Sequence, residues 1–161
     1  MFERYVPQAR RAIFFAALAA ALENAYIGSE HLLVGLLCDA DSRANTLFRL
    51  RELLPERVAV IAGFNSVYPL TKTPTLADDC KRILAWTAFE AGKLNDYWID
   101  TEHLLLGILK DQSAAAHRLN NVGVDLAMAR QLVANNKPSR PDYGTIPRFW
   151  RLKERVVAFF S

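Results

Sequence analysis

The chain has 161 residues, of which 52% are hydrophobic and 23% charged, so it can bury the core of one globular domain and disorder is not expected. Its net charge of +3 is unevenly spread, because six basic and two acidic residues lie from Asn135 onward and the rest of the chain carries −1. This distribution excludes a broad nucleic-acid surface on the body of the protein.

The first predicted helix is apolar around much of its circumference. One stripe is formed by Val6, Ala9, Ile13, Ala16 and Ala20, and a second by Phe14, Leu18 and Leu22. We therefore expect this helix to have neighbours on two sides. Arg10 and Arg11 before this apolar run also resemble the start of a secretory signal. A second, later stretch shows the same local pattern where no signal can lie, which favours a buried helix.

A twelve-residue motif occurs twice and is the main observation. Residues 26–37 (YIGSEHLLVGLL) match residues 98–109 (WIDTEHLLLGIL) at seven positions, with an offset of 72. The similarity extends upstream, where Arg11 corresponds to Arg82, and downstream, where Leu47 corresponds to Leu119. We predict an all-α fold of two pseudo-symmetric four-helix repeats that form one globular domain over residues 1–134. Repeat one covers 1–63 and repeat two covers 75–134.

Each motif is predicted to start a helix. Ser29 and Thr101 have hydroxyls that can cap the helix, and Glu30 and Glu102 follow in the first turn, where the helix dipole favours a carboxylate. The leucines of each motif then form one broad apolar face, which must be core.

A glycine lies at the same step of both motif helices. Gly35 and Gly107 each cost about 1 kcal/mol relative to alanine inside a helix. Their recurrence at equivalent positions therefore predicts that another helix approaches closely at both places.

The remaining segments are connectors and a tail. Gly63 to Pro74 is predicted to join the repeats, and 135–147 is rich in Asn, Pro, Ser, Asp and Gly, as is typical of a flexible linker. Residues 148–161 are predicted to form a short basic amphipathic helix, which fits docking on its own domain, on a partner or on a membrane surface.

No candidate metal site or membrane span is found in the sequence. Cys38 and Cys80 form no CxxC motif and have no histidine at ligand spacing, so we expect small buried side chains and no cofactor. Cysteines of this kind favour a cytoplasmic location. No stretch reaches the roughly 18 apolar residues that a spanning helix needs.

The doubled motif, preceded each time by a helix, resembles the N-terminal repeat domain of the Clp family of protein-unfolding ATPases. The resemblance covers residues 1 to about 134. It implies two packed four-helix units and a non-catalytic role in which the domain receives substrate proteins or adaptors, with a Clp ATPase as a further partner. No GxxxxGK[ST] phosphate loop is present, because Gly92 and Lys93 are followed by Leu94. The chain is thus expected to be a free-standing version of the domain or a fragment of a longer protein.

The resemblance also implies a binding site. Some members of the family bind phosphorylated arginine through the glutamate of each motif, which corresponds to Glu30 and Glu102 here, and a carboxylate can hold a guanidinium in a forked contact. Repeat one has Tyr5-Val6 and repeat two Leu76-Ala77 where the family often has Phe-Thr, so a phosphate-binding hydroxyl is absent from both. We expect a groove where the repeats meet to bind protein, with five residues near its rim: Phe2, Tyr5, Glu30, Leu76 and Glu102.

Simpler roles stay open for several of these residues. Glu30 and Glu102 can serve only to stabilise the starts of their helices. His31 and His103 are expected to be structural, because adjacent helical residues point about 100° apart and a Glu-His pair cannot converge on one ion. An enzyme would need a nucleophile and a base within reach, and no such grouping occurs locally. The alternative to a protein-binding module is a tethering protein that acts through the basic tail.

Overall fold

The computed structural model describes residues 2–63, 73–139 and 141–146, and within these ranges the regular structure is helical. The all-α prediction is confirmed. Repeat one contains α1 (Pro7–Leu22), α2 (Ser29–Leu37), α3 (Arg43–Phe48), a 3₁₀ turn (Leu50–Glu52) and α4 (Pro55–Gly63). Repeat two contains α5 (Asp78–Lys93), α6 (Thr101–Asp111), α7 (Ala114–Asn121) and α8 (Leu126–Asn135).

The motif helices α2 and α6 form the centre of the molecule. Residues 101–109 of α6 are all buried, as are Ser29 and residues 31–37 of α2. The two helices contact each other and each contacts helices of the other repeat, so their leucines belong to one shared core. The leucine faces of the two motifs therefore hold the repeats together as well as stabilising each repeat.

The two motif glycines occupy equivalent positions because of close helix packing. A Cβ on Gly35 would lie 2.1 Å from the carbonyl oxygen of Ala12 and 2.7 Å from the nitrogen of Ala16. A Cβ on Gly107 would lie 2.2 Å from the hydroxyl of Thr87, in the corresponding turn of α5. The predicted close approach is confirmed in both repeats, between α1 and α2 and between α5 and α6.

The start of each repeat pairs with the motif of the other repeat. Val6 donates its N–H to the carbonyl of Ile99 at 2.9 Å, and Ile99 donates to Arg4 at 2.8 Å. In the equivalent place, Ala77 donates to Ile27 at 2.9 Å and Ile27 donates to Thr75 at 2.8 Å. These reciprocal backbone bonds fix the two repeats relative to each other and create two related junctions.

The two-sided packing predicted for α1 is only partly correct. Leu18 is buried with Val34 and Ile61, so α4 covers part of the second stripe. Phe14 and Leu22 remain exposed, because α4 reaches only one side of that stripe.

Residues 136–139 and 141–146 follow α8 without a helix. The ring of Tyr143 packs edge-on against Trp98 with centroids 5.9 Å apart, and the guanidinium of Arg43 donates to the carbonyl of Asn136. The start of the predicted linker therefore touches both repeats. Most of the connector (64–72) and the predicted tail helix (148–161) lie outside the described residues. Within the described ranges, no helix is both long and apolar enough to cross a bilayer.

Candidate functional site

The predicted site residues lie at the two junctions between the repeats. Junction one is defined by the start of α2 and the residues around it: Ile27, Glu30, Leu76, Asp79 and Arg118. Junction two is defined by the start of α6 and the residues around it: Phe2, Tyr5, Arg43, Ile99 and Glu102. The backbone bridges between Ile27 and Leu76 and between Tyr5 and Ile99 mark the same place in each half. The structure thus separates the five predicted residues into two related groups.

The start of α2 is capped from the other repeat. Its N-cap residue is Gly28, which has no side chain, and Asp79 of α5 accepts the N–H of Ser29 at 2.9 Å instead. Burial acts to raise the pKa of Asp79, but hydrogen bonds from Ser29 and Cys80 outweigh burial and lower that pKa below its usual value. The prediction that Ser29 caps its own helix is wrong, because Ser29 is the first helical residue.

The start of α6 is capped from within its own repeat. Asp100 is the N-cap residue and accepts the N–H of Thr101 at 2.7 Å. The hydroxyl of Thr101 accepts the N–H of Ala44 at 3.1 Å, which ties α3 to α6 across the junction. The predicted capping role of Thr101 is therefore also wrong, and its hydroxyl joins the two repeats.

Both motif histidines are structural, as predicted. Nδ1 of His31 accepts the N–H of Gly28 at 3.0 Å, and its Nε2 lies 2.9 Å from a carboxylate oxygen of Glu23. His103 makes the same pair of contacts with Asp100 and Asp96, at 3.0 and 3.1 Å. Because Nδ1 accepts a hydrogen bond, Nε2 carries the ring proton and donates a hydrogen bond to the carboxylate. Each ring therefore locks the loop before its motif helix.

Glu30 is partly accessible and is held by two arginines. Nε of Arg118, on α7 of repeat two, lies 2.9 and 2.8 Å from the two carboxylate oxygens, and a guanidinium nitrogen of Arg57 lies 3.6 Å away. The Glu30 side chain is 23% exposed. Arg57 also binds Glu23 at 2.6 Å, so the charges at junction one form a connected chain of alternating sign.

Glu102 is enclosed. Its side chain is 0% exposed, and Nε of Arg43, on α3 of repeat one, lies 3.6 Å from it. Each motif glutamate is thus paired with an arginine of the other repeat, but only Glu30 can be reached from solvent.

The three remaining predicted site residues also differ in how far they are exposed to solvent. Tyr5 is buried, with 5% of its surface exposed, and burial raises its pKa to about 12. Phe2 is half-buried and packs edge-on against Tyr5 with ring centroids 5.1 Å apart. Leu76 is half-buried against the core. Phe2, Glu30 and Leu76 therefore have surface to offer a ligand, whereas Tyr5 and Glu102 position their neighbours.

Within the described ranges, neither a metal-binding cluster nor a readily ionised thiol is present. Among the described residues, no cluster of His, Cys, Asp and Glu can hold a metal ion. Both cysteines are free, and burial raises the pKa of Cys38 to about 11 and that of Cys80 to about 12, so neither thiol forms a thiolate readily. The accessible groups of junction one are the carboxylate of Glu30 and the apolar side chain of Leu76.

Comparison with known proteins gives consistent results. The profile of the Clp repeat (R) N-terminal domain matches residues 7–122. The negative regulator of genetic competence ClpC/MecB from Bacillus subtilis (strain 168) is 31% identical over 137 residues, which cover 83% of this chain and 17% of that protein. The chloroplastic chaperone protein ClpC1 from Arabidopsis thaliana is 29% identical over 170 residues, covering 90% and 18%. The chain therefore spans less than a fifth of the length of these curated relatives.

The fold has solved counterparts. The N-terminal domain of the caseinolytic protease associated chaperone ClpD from Arabidopsis thaliana matches with a TM-score of 0.61 and 19% identity, covering 84% of this chain and 95% of that one. At this identity the likeness establishes the arrangement of the helices only.

Proposed function

The chain belongs to the Clp repeat (R) N-terminal domain family, and from this premise we propose that it is a non-catalytic module that binds segments of other proteins at junction one. Substrate proteins or adaptors of a Clp-type unfoldase are the proposed partners. The observation that carries the proposal is the contrast between Glu30, whose side chain is 23% exposed, and Glu102, which is enclosed.

The proposed ligand is a protein segment that presents arginine next to an apolar side chain. Arg118 already binds Glu30, with the N–H of its Nε shared between the two carboxylate oxygens, whereas a free ligand guanidinium can form the stronger forked contact. The Arg118 side chain is 49% exposed, and such exposed pairs contribute at most about 1 kcal/mol, so a ligand can displace it at low cost. The internal arginine thus occupies the place of the ligand in the free protein.

Phosphorylated arginine is a poorer fit at this place. The positive end of the α2 dipole is where a phosphate would be stabilised, and the carboxylate of Asp79 is already bound there. We therefore expect phosphorylation of a ligand arginine to give no gain in affinity.

A peptide pair tests the proposal. The arginine peptide is a short labelled peptide in which arginines and leucines share one helical face, and its glutamate twin has every arginine replaced. Glu30→Gln is expected to weaken binding of the arginine peptide by about tenfold, and Arg118→Ala to strengthen it by a few-fold because the internal competitor is gone. Fluorescence anisotropy with the full chain measures both changes.

Glu56→Gln is the matched control, since Glu56 is an exposed glutamate on α4, next to Arg57 in sequence. If Arg118→Ala weakens binding as much as Glu30→Gln does, the arginine is part of the site and the displacement scheme is wrong. Equal affinities in all variants would remove junction one from the binding surface.

We also place the protein in the cytoplasm. Two free cysteines in the described part of the chain support a reducing compartment.

A further inference from the structure

The outer face of α5 and α6 carries an exposed phenylalanine and a half-buried tryptophan, framed by two lysines. Phe89 is 47% exposed, and its ring packs edge-on against Trp86 with centroids 5.7 Å apart. Nζ of Lys110 lies 5.2 Å from the centroid of Trp86, and Nζ of Lys93 lies 5.8 Å from that of Phe89. We call these four residues the aromatic–lysine face.

The equivalent face of repeat one is apolar and largely covered. The glycine contacts show that α1 and α5 correspond with an offset of 71, and the motif helices correspond with an offset of 72. The four counterparts of the aromatic–lysine face are therefore Phe15, Leu18, Leu22 and Cys38.

Helix α4 accounts for this covering. Leu18 is 2% exposed and is buried with Ile61 of α4, while Phe15 and Cys38 pack at the edge of the same cluster. Leu22 lines an open groove of about 260 Å³ that Val60 of α4 helps to form. In repeat one, therefore, the element that packs on this face is a helix.

Helix α8 is the counterpart of α4 but does not cover the aromatic–lysine face in the same way. It packs against α6 and reaches α5 through Arg130, whose guanidinium binds the buried carboxylate of Glu90 at 2.9 and 2.5 Å. Glu90 stands where repeat one has Ala19. Phe89 is left exposed, whereas its counterpart Leu18 is buried.

Among the residues that the structure describes, no acidic side chain complements the two lysines of the face. Arg82, on the same helix, is paired with Asp111 at 2.9 Å, and Lys81 with Asp78 at 3.2 Å. Lys93 and Lys110 make no ion pair with any described residue, and the ammonium group of each lies over an aromatic ring. A cover for this face must therefore bring carboxylates as well as apolar side chains.

We propose that the aromatic–lysine face is a docking surface for an acidic amphipathic helix of another protein. The apolar side of that helix would lie on Trp86 and Phe89, as α4 lies on Leu18, and its carboxylates would pair with Lys93 and Lys110. This surface is separate from junction one, and it adds a second partner class to the proposed function without depending on it.

The glutamate twin of the arginine peptide is the probe, and anisotropy with the full chain is the measurement. Phe89→Ala is expected to weaken its binding by about fivefold, and Lys110→Glu by about tenfold. Both side chains lie at the surface, so the fold is retained, and circular dichroism checks this.

Two matched controls isolate the face. Tyr26→Ala removes another exposed aromatic ring, in repeat one, and Lys81→Glu makes the same charge change on the exposed surface of α5. Both are expected to bind the glutamate twin within about twofold of the wild type, and so is Glu30→Gln.

Several results would overturn the proposal. They include no binding of the glutamate twin, equal losses in the control variants, and a loss on Glu30→Gln. A concentration-dependent dimer in sedimentation that Phe89→Ala abolishes would assign the face to a second copy of the chain. Binding to phosphatidylserine vesicles that requires Phe89 and Lys110, without binding of the peptide, would assign it to a membrane surface.

Discussion

Junction one and junction two have equivalent backbone hydrogen bonds but differ in their helix caps and in the exposure of their glutamates. In junction one the helix cap is Asp79, from the other repeat, and the motif glutamate reaches the surface. In junction two the cap is Asp100, from the same repeat, and the motif glutamate is enclosed. The difference shows that two copies of one motif can differ in accessibility, since one junction encloses its glutamate and the other leaves its glutamate exposed to solvent.

The largest expected effect concerns the two motif glycines, which occupy equivalent positions in the repeats. Gly35→Ala places a methyl group 2.1 Å from the backbone oxygen of Ala12, which cannot move alone, and should reduce the free energy of unfolding by about 3 kcal/mol. Gly107→Ala should cost less, because its nearest backbone neighbour, the carbonyl oxygen of Ile83, is 2.8 Å away and the 2.2 Å contact is with the hydroxyl of Thr87. Urea unfolding of the two variants measures the difference, and a larger loss for Gly107→Ala would contradict this account.

The next effect separates the two glutamates. Glu102→Gln removes a buried charge from the side of Arg43 and should cost about 2 kcal/mol, less than for a fully enclosed pair because Arg43 is partly exposed. Glu30 lies at the surface, so Glu30→Gln should reduce the free energy of unfolding by less than about 0.5 kcal/mol. Thermal unfolding of both variants tests this, and equal losses would mean that the junctions do not differ in the way described.

The caps offer a smaller and reversible effect. Asp79→Ala should cost about 1 kcal/mol, since it removes the hydrogen bond to Ser29 that caps α2. Adding Gly28→Asp should restore part of that loss, because it gives repeat one the kind of cap that Asp100 provides in repeat two. Gly28 has a φ of −109°, so an aspartate is tolerated there. No recovery in the double variant would show that Asp79 does not act as a cap.

The same aspartate predicts a pH dependence. The pKa of Asp79 is lowered in the folded state, so its contribution is fully present above the unfolded value of 3.8 and is lost as the pH falls below it toward the folded value. Asp79→Ala should therefore lose more stability at pH 6 than at pH 3. Urea unfolding across this range checks the sign, and a constant difference would contradict the lowered pKa.

The smallest effect concerns the segment after α8. Tyr143→Ala removes the ring that packs on Trp98 and should lower the free energy of unfolding by about 0.5 kcal/mol. Proteolysis near residue 143 should become faster in this variant. An unchanged rate would show that the ring contact does not hold the segment.

The fold could be predicted from the sequence because its signals are local and occur twice. Gly35 and Gly107 stand at the same step of two leucine-rich helices, which indicated both the repeat and the close helix packing. The caps were misplaced by one residue, because Ser29 and Thr101 are suitable capping types but Gly28 and Asp100 hold the extended backbone of the N-cap.

The site was harder to predict, because its partners are distant along the chain. Arg118 is 88 residues from Glu30, and Asp79 is 50 residues from Ser29. Neither Arg43 nor Arg118 has an arginine at the corresponding position of the other repeat, so the repeat pattern gave no signal for these two partners. The burial of Tyr5 and Glu102 likewise depends on how the repeats pack.

Chemical-shift mapping tests the contrast between the junctions most directly. The ¹⁵N-labelled full chain is titrated with the arginine peptide, and the backbone amides at the starts of α2 and α6 are compared. We predict that Ser29, Glu30 and Leu76 shift with the peptide while Thr101 and Glu102 do not. Equal shifts at both junctions, or shifts at junction two alone, would contradict the account.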